Sequence, residues 1–182
     1  MLCPLVGGLC PPAPGLVVSE RTFLRGMSSD AYDLDEERRR RLALPRVIKA
    51  KDLPWEGGPG HWNKDVLRPS MEPFRTQTLE IHIESEAPGG ISHNHGHQNE
   101  ALFYVLEGHG HEVHDGERYD WRAGDVVMVH NDSVHQHFND DPERPSRVLV
   151  IKAKPLWMFL GLIQQGYLSR ASKRATGYEP AD

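Results

Sequence analysis

Three histidines stand two residues apart in the stretch GGISHNHGHQNEALFYVLEGHG, residues 89–110: His93, His95 and His97. One carboxylate, Glu100, follows them. A second group lies in GDVVMVHNDSVHQHFN, residues 124–139, where His135, His137 and Asn139 again share parity. Neutral imidazoles suit first-row transition metals, and side chains two apart on a strand point to one face. His95 and His97 can therefore reach one ion together. Two such pairs on separate short strands could face each other across a barrel. Three imidazoles without a carboxylate leave a divalent ion its full positive charge, so such a site draws an anionic or chelating ligand.

Side chains so spaced need strands to aim them, and the surrounding sequence supplies strand signals. Residues 76–84 alternate, with Leu79, Ile81 and Ile83 on one face and Thr78, Glu80, His82 and Glu84 on the other. That pattern predicts a half-buried strand. Pro88-Gly89-Gly90 turns the chain, and ALFYVL, residues 101–106, predicts an apolar strand closed by Glu107-Gly108. Residues 109–114 and 117–121 flank Asp115-Gly116, a two-residue hairpin signal. Residues 126–130, 135–139 and 147–153 continue the series, each bounded by turn residues. Further out, residues 46–50 read as a short strand and residues 51–73 as a loop rich in Pro, Gly and Trp. DEERRRR, residues 35–41, predicts a short solvated helix. Pro155 opens a predicted helix over residues 156–168, apolar nearly all round and so in need of burial on the barrel or between subunits. Many short strands punctuated by Gly and Asp argue a sandwich or closed barrel, and no internal repeat is present.

The chain's 182 residues suffice for one domain with a real core. Its 17 glycines and 14 prolines favour turns and β-structure over helix bundles. A net charge of −5 gives no electrostatic case for nucleic acid or an anionic membrane. The longest apolar run, residues 156–163, falls well short of the ~20 residues that span a bilayer. Two cysteines, Cys3 and Cys10, make no disulfide framework, so a reducing, cytoplasmic setting is expected. The first eighteen residues are apolar but proline-rich and carry no basic segment. They read as a leader without order rather than a signal peptide, with Met27 as an alternative start. The expected organisation is a partly disordered extension over 1–45, a barrel over 46–155, and a helix and tail over 156–182.

The two histidine groups resemble the paired motifs of the cupin superfamily. The first motif, G-x5-H-x-H-x3-4-E-x6-G, fits Gly89, His95, His97 and Gly108, but its glutamate slot holds Ala101. The second, G-x5-P-x-G-x2-H-x3-N, fits Gly124, His135 and Asn139, with His130 and Asp132 in place of Pro and Gly. The resemblance covers roughly residues 75–153. It implies an all-β fold: a double-stranded β-helix, or jelly-roll barrel, with a short C-terminal helix and an irregular N-terminal extension. Two ligand frames follow. In the first, His95, His97 and His135 hold the metal and Ala101 leaves the shell open. In the second, His93 pairs with His95 and a bulge turns Glu100 inward, at the cost of both glycine counts. The three-His version is similar to gentisate 1,2-dioxygenase, whose two cupin halves contrast with the one seen here. Matching residues are His95, His97, Ala101, Leu102, Glu107, Gly108 and Gly110, then Gly124, Asp125, His135, His137 and Asn139.

The resemblance implies Fe(II), with Mn, Ni or Zn as alternatives, and a small-molecule substrate together with O₂. It implies O₂-dependent C–C (ring) cleavage of a small hydroxylated aromatic or related chelating acid. Two other classes stay open: an O₂-independent metal enzyme (isomerase, lyase or decarboxylase) and a non-catalytic small-molecule-binding cupin. His137 reads either as an acid or base beside the metal or as a packing residue of the barrel wall. His93 reads as a rim residue. Arg75, Gln77 and Arg147 are candidates to anchor a substrate carboxylate. His109, His111 and His114 read as solvated hairpin residues, and His130 as structural. Trp55, Trp62 and Phe74 read as core, with an aromatic pocket as the alternative. A homodimer or higher homo-oligomer is expected.

Overall fold

The computed structural model describes residues 34–72, 76, 78–169 and 177–182. Cys3, Cys10, Met27, Phe74, Arg75 and Gln77 lie outside the described residues. The chain divides into two compact units, Met1–Leu44 and Pro45–Asp182. The first holds α1 (Leu34–Leu42), with acidic residues in its first turn and basic residues in its last, matching the helix dipole.

The second unit is an antiparallel barrel. Its strands are β1 (Glu56–Gly57), β2 (His61–Leu67), β3 (Glu80–Glu86), β4 (Asn94–His97), β5 (Ala101–Glu107) and β6 (His109–His114). They continue as β7 (Glu117–Arg122), β8 (Val126–Val129), β9 (Val134–Asn139), β10 (Ser146–Lys152) and β11 (Gln165–Ser169). One sheet runs β1-β2-β3-β10-β5-β8 and the other β11-β4-β9-β6-β7. This is the all-β jelly-roll arrangement expected from the motifs. α2 (Lys154–Phe159) lies between β10 and β11, with Pro155 in its first turn.

Asp115-Gly116 forms the tight turn between β6 and β7, both residues having positive φ. The Asp115 carboxylate accepts hydrogen bonds from Ser133 Oγ (2.8 Å) and Val134 N (2.9 Å), tying the turn to the start of β9. Gly110 is required by close approach: an added Cβ would lie 2.0 Å from Phe138 O and 2.7 Å from the Trp121 ring.

Two regions depart from the sequence expectation. Residues 51–73 contain β2, paired along β3, rather than loop alone, while residues 46–50 form no strand. The helix expected over 156–168 stops at Phe159, and Gly161 then takes φ +70°. The chain turns back as β11 beside β4, where backbone pairing replaces the burial a longer helix would need. The alternation of β3 named two faces without saying which is inside. Its polar face is buried, His82, Glu84 and Glu86 being 5%, 8% and 4% exposed, while Ile81 and Ile83 are only partly buried.

The interior is thus divided. Ala101, Phe103, Val105, Trp121, Val129, Val148 and Val150 form an apolar cluster. The remainder is lined by histidines and carboxylates. Asn139 joins the parts: its Nδ2 donates to Ala87 O (2.9 Å) and Arg144 O (2.8 Å), and its Oδ1 accepts from Asp141 N (3.0 Å). Asn139→Ala leaves those buried backbone groups unpaired, at an expected cost of about 2–4 kcal/mol. The measurement is the urea unfolding midpoint followed by circular dichroism; an unchanged midpoint would refute the pinning role.

Candidate metal centre

β9 alternates strictly, so His135, His137 and Asn139 all point inward. β4 pairs with β9 so that His95 stands directly across from His135. His97, two residues further along β4, shares the face of His95. The ring centroids are 4.3 Å apart for His95 and His135, 5.0 Å for His97 and His135, and 5.5 Å for His95 and His97. One ring nitrogen from each of His95, His97 and His135 lies within 4.8 Å of the other two.

The hydrogen bonds decide which nitrogen is free. His95 Nδ1 donates to His93 O at 3.1 Å, His97 Nδ1 to Asn99 O at 2.6 Å, and His135 Nδ1 to Ser133 O at 3.2 Å. With a proton held on Nδ1 by a carbonyl, the lone pair sits on Nε2 in each ring. His135 Nε2 is fully buried and has no hydrogen-bond partner among the described residues. An orphaned buried acceptor facing two like groups is what a metal ion would satisfy. Burial, with the charge on His137, pushes His95 down to about 4. Burial, with the charges of His137 and His95, pushes His135 down to about 2. His97 is lowered as well, by burial and by Lys152 and Lys154. All three imidazoles are therefore neutral near pH 7 and available as donors.

Glu100 is exposed and stands outside this group. It lies in the connection between β4 and β5, flanked by buried Asn99 and buried Ala101. The frame pairing His93 with Glu100 is thus not the one the structure assembles. Ala101, 1% exposed, occupies the position where the motif places its acid.

His137 differs sharply from its neighbours. Burial opposes its charge, yet the Glu112 carboxylate beside it, with Glu84 and Glu86 behind, raises it to about 9. Its Nδ1 lies 2.6 Å from Glu112 Oε2, and its ring packs 4.7 Å from Phe103. Glu112 in turn accepts from Trp121 Nε1 at 3.2 Å. The register explains the pair, for Glu112 sits directly across from His137 between β6 and β9.

A cavity of about 510 Å³ opens beside the centre, walled by His93, His95, His137, Glu84, Lys152 and Tyr167 among others. Tyr167 of β11 stacks on His95 with centroids 5.7 Å apart at 29°. Neither Trp55 nor Trp62 lines it. His111, expected to be solvated, is instead buried, stacked on Phe138 at 4.4 Å and bonded to Asp140 at 2.9 Å. His109 and His130 are exposed.

Sequence reasoning missed Glu112, Glu84, Glu86, His61 and Tyr167. The same i, i+2 parity that marked the histidines was present in EIHIESE, but the polar side of that strand was not taken for the interior. Glu112 and Tyr167 carry no comparable local signal, since the long-range register of β6 and β11 brings them in.

Comparison with known proteins agrees with this fold. Residues 82–152 match the family model described as a cupin domain. Salicylate 1,2-dioxygenase from Pseudaminobacter salicylatoxidans is similar at 18% identity and TM-score 0.56, over 63% of this chain and 32% of that one. A structure of the same enzyme as an adduct with gentisate aligns at 17% identity and TM-score 0.56, over 86% of this chain and 42% of that one. An RmlC-like cupin from Shewanella frigidimarina aligns at 18% identity and TM-score 0.50, over 60% of this chain and 90% of that one. The chain spans well under half the length of the dioxygenase chains it matches, and identities this low speak for the fold alone. No curated protein matches the chain. Motif order, antiparallel topology and family match coincide on one segment, and residues 82–152 match a single cupin domain.

Proposed function

We propose that His95, His97 and His135 hold a divalent metal, Fe(II), and that the protein is a dioxygenase acting on a small hydroxylated aromatic or related chelating acid. The observation that carries this reading is the convergence of one ring nitrogen from each of three imidazoles within 4.8 Å, each ring fixed by an Nδ1–carbonyl bond, with Ala101 rather than an acid in the motif position. Bound Fe(II) would supply Lewis acidity toward a chelating substrate and the redox capacity that O₂ requires. A cavity of about 510 Å³ falls within the roughly 300–1,000 Å³ typical of small-molecule sites.

The chain's own residues have definite tasks in this reading. His137, charged near pH 7, faces the cavity and favours an anionic oxygen of the substrate there. Lys152 and Lys154 add positive charge on the same wall, although Glu80 holds Lys152 at 3.4 Å. Tyr167, stacked on His95, limits water around that imidazole. His93 lies at the rim, between His61 and Tyr167, where it can contact the distal part of a ligand. Arg75 and Gln77 remain candidates for a carboxylate anchor from outside the described residues. The salicylate and gentisate named for the similar structures make these two acids the first substrates to try.

One observation favours a second reading. His137 and the buried carboxylate of Glu84 stand 3.9 Å apart on the cavity wall, a proton-transfer pair that an O₂-independent isomerase or lyase could use. The exposed apolar side chains Leu156, Phe159, Leu160 and Leu162, on and after α2, support self-association with a second copy; light scattering of the purified chain reads this directly.

Replacing any one of His95, His97 or His135 by Ala should weaken Fe(II) or Co(II) binding by at least about 100-fold, measured by competition with a chelator, because each supplies a direct donor. Unchanged binding in any of the three would remove that residue from the centre. Protein loaded anaerobically with Fe(II) should consume O₂ on addition of gentisate or salicylate, and neither iron nor acid alone should suffice. Substrate conversion without O₂ uptake would instead select the isomerase or lyase reading, and binding without conversion a non-catalytic cupin.

A further inference from the structure

The cavity wall contributed by β2 and β3 carries groups that the three-His centre does not use. His61 of β2 stands directly across from Glu86 of β3, and its Nδ1 donates to Glu86 Oε1 at 2.6 Å. Glu84 lies two residues before Glu86 on the same inward face. One donor atom from each of His61, Glu84 and Glu86 lies within 4.8 Å of the other two.

The charges nearby leave this group incomplete. Glu80 is matched by Lys152 at 3.4 Å, Asp65 by Arg68, and Glu112 by His137 at 2.6 Å. Glu84 Oε1 accepts from His82 Nε2 at 2.9 Å. The second oxygens, Glu84 Oε2 and Glu86 Oε2, are fully buried and have no hydrogen-bond partner among the described residues. Glu84 Oε2 lies 3.9 Å from His137 Nε2, beyond hydrogen-bond distance. A buried carboxylate oxygen without a donor forfeits its hydration for nothing in return. Two of them beside one imidazole form a donor set for a cation. Both residues are at least nine-tenths buried, so this is not a surface cluster of acids that water could serve equally well.

We propose that His61, Glu84 and Glu86 form a second divalent-cation site on the cavity wall, separate from the three-His centre. One imidazole nitrogen with two carboxylates suits Mn(II), Fe(II) or Zn(II). The two carboxylates neutralise the ion, whereas the three-His centre leaves its ion charged. His61 and Glu84 both line the cavity, so the site has an entry path. His61 Nδ1, which donates to Glu86 in the free protein, releases that proton to solvent and takes the cation in its place, while Nε2 stays beside the Asn63 amide at 3.1 Å.

The site stands independently of the dioxygenase reading, and counting Zn(II) separates the two. Tag-free, chelator-stripped full-length protein is titrated with Zn(II), and bound metal is measured by mass spectrometry of the desalted protein. Wild type should retain two equivalents. The variant His95→Ala/His135→Ala should retain one, and adding Glu86→Gln to it should remove that one. Glu86→Gln alone should keep one equivalent, at the three-His centre. An equivalent that survives both Glu84→Gln and Glu86→Gln in the His95→Ala/His135→Ala background overturns the proposal, as does complete loss of metal in that background with the fold retained by circular dichroism. Wild-type crystals soaked in Zn(II) provide a measurement free of substitutions. Anomalous density between His61, Glu84 and Glu86 is the expected result, and its absence at saturating Zn(II) overturns the site. Loss of the three-His equivalent alone would instead count against the dioxygenase reading and leave this one standing.

Discussion

The register of β9 between β4 and β6 governs the chemistry of the interior. On one side it sets His135 across from His95; on the other it sets His137 across from Glu112 and His135 across from His114. His135 and His137 are two residues apart on one face, both deeply buried, and yet they hold opposite charge states. The difference lies in the strand partner. A carboxylate across from His137 outweighs burial and raises it to about 9, while burial, with the neighbouring His137 and His95, takes His135 down to about 2. Were β6 to slip by two residues, Glu112 would stand elsewhere along β9 and the proton would follow it. Antiparallel pairing thus decides which ring offers a lone pair and which carries a proton.

Such a register has to be held against sliding, because the strands it joins bury few apolar groups. The core cluster lies mainly on β5, β8 and β10, with Trp121 reaching in from β7. The β4–β9–β6 side presents histidines, carboxylates and Asn139 instead. Its fixing elements are therefore polar or steric. Asp115 ties the β6–β7 turn to the start of β9, Asn139 ties the end of β9 to the backbone at Ala87 and Arg144, and Gly110 admits Phe138 O where no side chain could sit. Polar pins of this kind are directional, so they specify one alignment more sharply than apolar contacts would.

Much of this was legible in the sequence, and what was not has physical causes. The parity of His95, His97, His135 and His137 depends only on local strand geometry, so it could be read directly. The Asp115-Gly116 hairpin and the alanine at position 101 were equally local. The inward face of β3 was not legible because alternation alone says that two faces differ, not which one meets the core. In a barrel that encloses a polar cavity, the usual preference for apolar residues inside is reversed. β2 hides in a stretch whose Pro and Gly content signals loop, and it owes its strand form to pairing with β3. The run from Leu156 onward is apolar without a period, which fits a buried helix and a short strand equally. Only Gly161 and the free edge of β4 break the tie.

The placement of carboxylates gives the interior its asymmetry. The motif position that would set an acid beside the three imidazoles holds Ala101 on β5, while Glu84 and Glu86 are buried on β3, in the same sheet but across β10. Negative charge has not been removed from the barrel; it sits away from the imidazole centre. Buried acids at a distance hold the proton on His137, through Glu112 directly and through Glu84 and Glu86 more weakly. His137 Nδ1 faces Glu112 at 2.6 Å, and its Nε2 faces Glu84 at 3.9 Å. The acids are thus arranged so that their field charges one histidine and leaves the other three as donors.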